Sequence, residues 1–188
     1  MEISKTLYVT NRTAWRSWLK SNGKNEKEIW LIYYKKASGK PRIPYNDAVE
    51  EALCFGWIDS IVKTIDEYRF AQRFTPRRPT SVLSRMNKER VRKLIDNKRM
   101  TRAGLDAIAH TFDPDETENF IIANDIITAI KKDRAVWINF QQLPEWYKRI
   151  RIEYIEHRRS RRKKEFDNCL RHFIKMTAKN KRFGQIIE

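Results

Sequence analysis

The side chains best suited to bind an anion lie on a predicted β-hairpin and at the start of the helix that follows it. Arg73 is on the second hairpin strand, and Arg77 lies in the connection 76–79, where two prolines restrict the backbone. Ser84 is the predicted N-cap of the next helix, whose first N–H groups carry a partial positive charge. Guanidinium groups beside a helix start can hold a phosphate or a carboxylate, so these residues predict an anion site.

Other side chains from the same stretch complete the predicted site. We expect Asp59, on the first hairpin strand, to pair with Arg73 across the hairpin. The predicted ligand-binding residues are Lys36, Lys40, Trp57, Asp59, Arg73, Thr75, Arg77, Ser84 and Asn87. The alternative is an ordinary solvated strand face, in which Trp57 belongs to the core and Ser84 is only a helix cap.

The sequence contains no recognised catalytic, phosphate-loop or metal-binding motif. Its three histidines and two cysteines do not have the spacing of metal ligands, so we predict neither a metal nor a cofactor. An enzyme remains an alternative, acting on a phosphorylated or carboxylated small molecule with Asp59 or Glu51 as the acid or base beside Arg73. A carboxylate among arginines has a lowered pKa, which suits an orienting role better than proton donation. Catalytic residues are not assigned.

Three carboxylates, Asp47, Glu50 and Glu51, lie within one turn of a predicted helix near its positive end. We interpret them as a solvated helix face. The alternative is that Glu51 points inward toward arginines.

Positive charge is the dominant feature of the composition, with 40 Lys and Arg against 24 Asp and Glu and a net charge of +16. Residues 69–102 carry 12 basic and 2 acidic side chains, and residues 148–182 carry 14 and 4. Such a field attracts anions without choosing among them, so the expected partner is an anionic small molecule or an acidic partner. Nucleic acid is an alternative partner, bound without sequence specificity by residues 85–93 and 158–164.

The elements that must position these residues divide the chain in two. The first part is predicted to contain helices at 13–22, 44–55, 84–98 and 101–111 and strands at 28–36, 57–65 and 68–75. The second is predicted to be helical at 124–132, 134–141, 144–158 and from Ser160, as N-cap, to about 179. The predicted fold class is α+β: a small antiparallel sheet of about three strands with helices (1–112), followed by an all-α C-terminal helical bundle (113–188).

Hydropathy and cysteine usage indicate the compartment. The chain has no apolar window of membrane-spanning length and no apolar signal region at its N-terminus. We therefore expect no membrane span and a cytoplasmic location. Cys54 and Cys169 are far apart and each lies in an amphipathic stretch, which favours reduced, buried thiols.

The predicted site also carries a family resemblance. The run YYKKASGKPRIPYNDAVEEALCFGWIDS, followed by FAQRFTPRRPTSVLSRMNKERVRKLIDNKRMTRAG, resembles the YdeI/OmpD-associated family, the bacteriocin-protection group of small bacterial proteins. The resemblance covers about residues 8–110. It implies a part in stress and antimicrobial-peptide tolerance and an association with an outer-membrane protein, and it supplies no catalytic roles. Because like charges repel, we expect any protection against cationic peptides to be indirect.

The sequence departs from that family's pattern at several positions. Ser60 stands where the family usually has Gly, and Asn97 and Lys98 stand where a small residue and Gly are usual. Leu83 stands where Trp is usual, which removes an aromatic wall from the predicted site.

Overall fold

A computed structural model describes residues 2–113, 120–159 and 162–184 of the chain. The chain forms two compact units, Met1–Pro114 and Asp115–Glu188. The sequence predicts a division between residues 112 and 113, and the acidic stretch that suggested it lies mostly outside the described residues.

The first unit combines a four-stranded mixed sheet with four helices. In chain order its elements are β1 (Thr6–Leu7), α1 (Arg12–Asn22), β2 (Ile29–Tyr34), a 3₁₀ turn (Lys36–Ser38), α2 (Tyr45–Cys54), β3 (Trp57–Thr64), β4 (Arg69–Pro76), α3 (Arg85–Asp96) and α4 (Arg102–Asp106). The strand order is β1-β2-β4-β3, with β1 parallel to β2 and the other pairs antiparallel. The expected antiparallel sheet of about three strands is therefore corrected to a mixed sheet of four. A strand of two residues is too short to show an alternating pattern in the sequence.

The hairpin between β3 and β4 forms as predicted, but its residue pairing differs from the pairing that we expected. Asp59 lies opposite Phe74 rather than Arg73, and the pairing shifts between Asp59 and Val62. On its other side, β4 pairs with β2, where Trp30 is the partner of Arg73. An irregularity of this kind re-aims the neighbouring side chains, and no periodicity in the sequence reveals it.

Aromatic residues build the core between the helices and the sheet. Trp15 of α1 contacts Phe74 of β4 with ring centroids 5.5 Å apart, and Trp18 contacts Trp57 at 5.9 Å. Short α4 packs directly on the end of α2, where a Cβ added to Gly104 would lie 2.2 Å from the carbonyl oxygen of Cys54. This contact joins the α3–α4 region to the helix that carries the acidic residues.

The second unit is helical in its described residues. Its helices are α5 (Asn124–Lys131), α6 (Arg134–Gln142), α7 (Glu145–Arg159) and α8 (Lys163–Ala178). They share an apolar core that contains Ile126, Phe140, Tyr147, Ile155 and Phe173. The predicted cap Ser160 lies outside the described residues. Within the described ranges, no helix is long and apolar enough to cross a membrane.

Candidate anion-binding site

Several residues of the predicted site have separate structural partners. Trp57 is only 1% exposed, and its indole N–H donates to the carbonyl oxygen of Gly23 at 3.1 Å. It is therefore a core residue rather than the wall of a ligand site. Lys36 and Lys40 are exposed, and the Lys40 ammonium lies 4.8 Å from the centre of the Tyr34 ring.

The predicted pair between Asp59 and Arg73 is wrong. Arg73 instead binds Glu28, with 2.7 Å between its Nε and the Glu28 Oε2, because β2 lies next to β4. Asp59 Oδ2 accepts hydrogen bonds from the Tyr45 hydroxyl at 2.9 Å and from the Gln72 amide at 2.8 Å. A carboxylate therefore neutralises Arg73. Thr75, two residues further along β4, is half-buried.

Arg77 has the most unusual environment among the predicted residues. Its side chain is buried, with 8% of the residue exposed, and Nη2 donates to the Ser81 carbonyl oxygen at 3.3 Å. Its Nε and Nη1 have no hydrogen-bond acceptor among the described residues. Burial lowers the pKa of Arg77 because the guanidinium is removed from water. A buried cation here retains unused donor capacity.

Ser81 adds a third unused polar atom to the same loop. Within the part of the chain that is described, its buried hydroxyl has no hydrogen-bond partner. The Ser81 amide donates to the Arg78 carbonyl at 3.0 Å, which closes a turn, and His110 contacts the Ser81 carbonyl at 3.2 Å. Arg77 and Ser81 define what we call the loop site.

The loop site is held from both ends. The Arg77 amide donates to the Gly56 carbonyl at 2.9 Å, which fastens the chain where β4 ends. At the other end Leu83 is buried in the core, and Ser84 caps α3 by accepting from the Asn87 amide at 3.4 Å. Leu83 is therefore an anchor of the loop in the core.

Arg90 is a second buried arginine, and the sequence did not single it out as a ligand residue. It is 3% exposed and donates to the amide oxygens of Asn87 at 2.9 Å and Asn46 at 2.8 Å. Its Nε has no acceptor within the described ranges. Burial lowers its pKa, although the nearby Tyr45, Glu50 and Asp59 oppose that effect. Asn87, which was predicted to bind a ligand, thus accepts a hydrogen bond from Arg90.

Tyr33 extends this polar cluster onto β2. Its hydroxyl is buried and has no hydrogen-bond partner among the residues that the structure describes. Burial raises the pKa of Tyr33, and the nearby Tyr45 and Asp59 raise it further. Tyr33, Asn46, Asp59, Asn87 and Arg90 form what we call the Arg90 cluster.

The sequence contains a signal that would have found Arg90. Asn87, Arg90, Val91 and Leu94 follow the i, i+3, i+4, i+7 spacing of one helix face, and Val91 and Leu94 are buried. An arginine inside such a stripe must face inward. Ser81 carries no comparable signal, because its burial depends on the path of a loop.

Of the three acidic residues of α2, Glu50 and Glu51 are buried and Asp47 is half-buried. Glu51 is 0% exposed and accepts from Arg12 Nε and Arg16 Nη1, each at 2.6 Å, and from Arg99. Burial by itself raises the pKa of Glu51, but the hydrogen bonds from Arg12 and Arg16 outweigh it and the pKa is lowered. The interpretation as a solvated face is therefore wrong, and the inward alternative is correct. A buried carboxylate that accepts hydrogen bonds from three arginines is a structural group.

The described residues contain no group of three or more His, Cys, Asp or Glu side chains that could hold a metal ion. Cys54 is buried, Cys169 is half-buried, and both are free thiols.

Comparison with known protein families matches residues 7–107 to the family described as a domain of unknown function, DUF8412. The chain belongs to the DUF8412 family. The matched DUF8412 region contains the loop site and the Arg90 cluster. Neither curated proteins nor solved structures give a match. The resemblance to the YdeI/OmpD-associated family stays a prediction.

Proposed function

We propose that this DUF8412 protein binds a small anion, of the phosphate or carboxylate class, through Arg77 and Ser81 of the loop site. The observation that carries the proposal is the Arg77 guanidinium, which is buried while two of its nitrogens have no acceptor among the described residues.

The energetics favour a ligand at this place. Removing a charged group from water is costly unless hydrogen bonds and an opposite charge compensate it. An oxyanion supplies both, since it can accept from Arg77 Nε and Nη2, which lie on one edge of the guanidinium, and from the Ser81 hydroxyl. It would also favour the charged form of the guanidinium, whose pKa burial lowers.

Access and preorganisation also support binding. Arg78, Pro79 and Thr80 are exposed, so Arg77 lies beneath a surface loop rather than in the deep core. The 3.3 Å hydrogen bond from Arg77 to Ser81 is long, and breaking it for a ligand costs little. Two prolines limit the entropy that the loop loses on binding.

A thermal-shift titration with inorganic phosphate, at constant ionic strength set by chloride, tests the proposal. An anion at ten times its Kd adds about 1.4 kcal/mol to the free energy of unfolding, or about 3 °C in Tm. We expect this increment in the wild type and in Arg78→Met, which removes an exposed neighbouring charge. Arg77→Met should lose it, and Ser81→Ala should reduce it.

Two results would refute the proposal. One is a phosphate response in Arg77→Met equal to that of Arg78→Met. The other is a wild-type response no larger than that to chloride. Circular dichroism of each variant establishes that the fold is retained.

Nucleic-acid binding is less well supported as an alternative. Several arginines of the two basic stretches are engaged with carboxylates: Arg92 with Glu89, and Arg159 with Asp125 and Glu156. Arg90 of the first stretch is buried. A phosphate would have to compete with these carboxylates. Affinity for DNA that falls steeply with salt stays a prediction.

The cellular role is proposed from the family resemblance alone. We propose that anion binding serves stress or antimicrobial-peptide tolerance in the bacterial cytoplasm, where the two free thiols remain reduced. Association with an outer-membrane protein is a further proposal from the same resemblance.

A further inference from the structure

The Arg90 cluster of the first unit contains two buried polar atoms that binding at the loop site does not use. Tyr33 is 2% exposed and Arg90 is 3% exposed, and within the described ranges neither the Tyr33 hydroxyl nor Arg90 Nε has a hydrogen-bond partner. The same two neighbours, Tyr45 and Asp59, act electrostatically on both side chains, which places them around one spot. Because an unpaired buried polar atom costs free energy, two of them together favour a ligand that bonds to both.

The sheet contributes Tyr33 and Asp59 to this spot from one of its faces. Tyr33 of β2 lies opposite Phe70 of β4, and the two rings stack with centroids 5.1 Å apart. Gln72 is two residues further along β4, so its side chain lies on the same face as that of Phe70. It donates to Asp59 at 2.8 Å. Side chains from β2, β3 and β4 therefore meet on this face.

Two helices supply the other members of the cluster. Tyr45, the first residue of α2, donates to Asp59 at 2.9 Å, and the adjacent Asn46 accepts from Arg90 Nη2 at 2.8 Å. Nε and Nη2 lie on one edge of a guanidinium. The unused Nε of Arg90 is therefore on the edge that contacts the start of α2, where the neighbouring residue binds Asp59.

The cluster contains one cation and one anion, and each is bonded to neutral groups in the part of the chain that the structure describes. Arg90 donates to two asparagine amides. Asp59 accepts from a tyrosine hydroxyl and a glutamine amide. A ligand with a negative and a positive group would compensate both charges, whereas a simple anion would compensate only that of Arg90.

We propose that the Arg90 cluster binds a small zwitterion, a free α-amino acid. Its carboxylate accepts from Arg90 Nε and from the Tyr33 hydroxyl, and its ammonium group donates to Asp59. Tyr45 is 36% exposed and Asp59 is half-buried, so the cluster reaches the surface on their side. The site is independent of the loop site, because it uses neither of the two residues that define it.

Calorimetric titration of the full chain with glycine tests the proposal, in the wild type and in Arg77→Met, which removes the cation of the loop site. Both should bind glycine with the same affinity. In Arg77→Met, acetate lacks the ammonium group and should bind at least tenfold more weakly than glycine. Tyr33→Phe keeps the stacked ring but removes one hydrogen bond to a charged group, so it should weaken glycine binding about tenfold. Asp59→Asn should weaken it at least tenfold.

Tyr68→Phe and Glu67→Gln are the matched controls, because both residues are exposed between β3 and β4. They should bind glycine as the wild type does. The proposal is overturned if the wild type shows no heat of binding with millimolar glycine, or if Arg77→Met loses glycine binding or binds acetate as tightly. It is also overturned if folded Tyr33→Phe binds glycine as Tyr68→Phe does, or if folded Asp59→Asn binds it as Glu67→Gln does.

Discussion

Two groups of arginines in the first unit differ in how their charge is compensated. Arg12, Arg16 and Arg99 surround the fully buried Glu51, which accepts from all three. Those three arginines are half-buried, whereas Arg77 in the same unit is buried and its hydrogen bond goes to a backbone carbonyl. An enclosed cation can thus be either part of the scaffold or a reserve of donors.

This difference indicates which arginines are candidates for ligand binding in a protein so rich in arginine. The Glu51 group is complete, so a ligand there would have to compete with an existing carboxylate. At Arg77 an anion would add hydrogen bonds to donors that have no acceptor within the described ranges. Burial without compensation, rather than burial or charge alone, marks the functional candidate.

Removing the central carboxylate gives the largest expected effect. Glu51→Gln leaves three guanidinium groups around a neutral amide and should lower the free energy of unfolding by about 3 kcal/mol in urea denaturation. Asp106→Asn, at an exposed pair with Arg102, should change it by less than about 0.5 kcal/mol. Equal effects of the two substitutions would contradict the central role of Glu51.

Matched Arg→Met substitutions sharpen the comparison between the two groups. Without added anion, Arg16→Met should lower the free energy of unfolding by about 2 kcal/mol, because it breaks an ion pair with Glu51. Arg77→Met should leave it unchanged or raise it by about 1 kcal/mol, because it removes a cation that burial penalises. Comparable losses of stability in both variants would show that Arg77, like Arg16, is a structural residue.

Lowering the pH should reduce the free energy of unfolding through protonation of Glu51. Its pKa is lowered from an ordinary value of 4.5, so its stabilising contribution is present above about pH 4.5. That contribution is lost as the pH falls through the lower pKa of the folded state. Urea denaturation at several pH values should therefore show a steeper loss below pH 4.5 in the wild type than in Glu51→Gln. Parallel curves would show that Glu51 does not titrate with folding.

The smallest effect concerns the thiol beside the Glu51 group. Burial, with the nearby charge of Glu51, raises the pKa of Cys54 to about 11. Iodoacetamide at pH 8 should therefore modify half-buried Cys169 at least tenfold faster than Cys54 in the native protein. In 6 M guanidinium chloride the two rates should converge. Rapid native modification of Cys54 would show that this part of the core opens.

Local sequence signals predicted the framework of the first unit well. The periodicity, the capping residue Ser84 and the prolines around Arg77 all lie within one element or one turn. The strand β1 was missed because two residues carry no period. Arg73 was misassigned because its partner Glu28 immediately precedes β2, a strand that the sequence did not place beside β4.

The sequence by itself determined the charge, the helices and the hairpin, and it located the proline-stiffened arginine loop, since these features depend on neighbours within a few residues. Only the tertiary structure decided which arginines have carboxylate partners. Glu51 meets Arg99, and Arg90 meets Asn46, across more than forty residues of chain. Compensation of a buried charge is a property of such long-range contacts, and no local pattern records it.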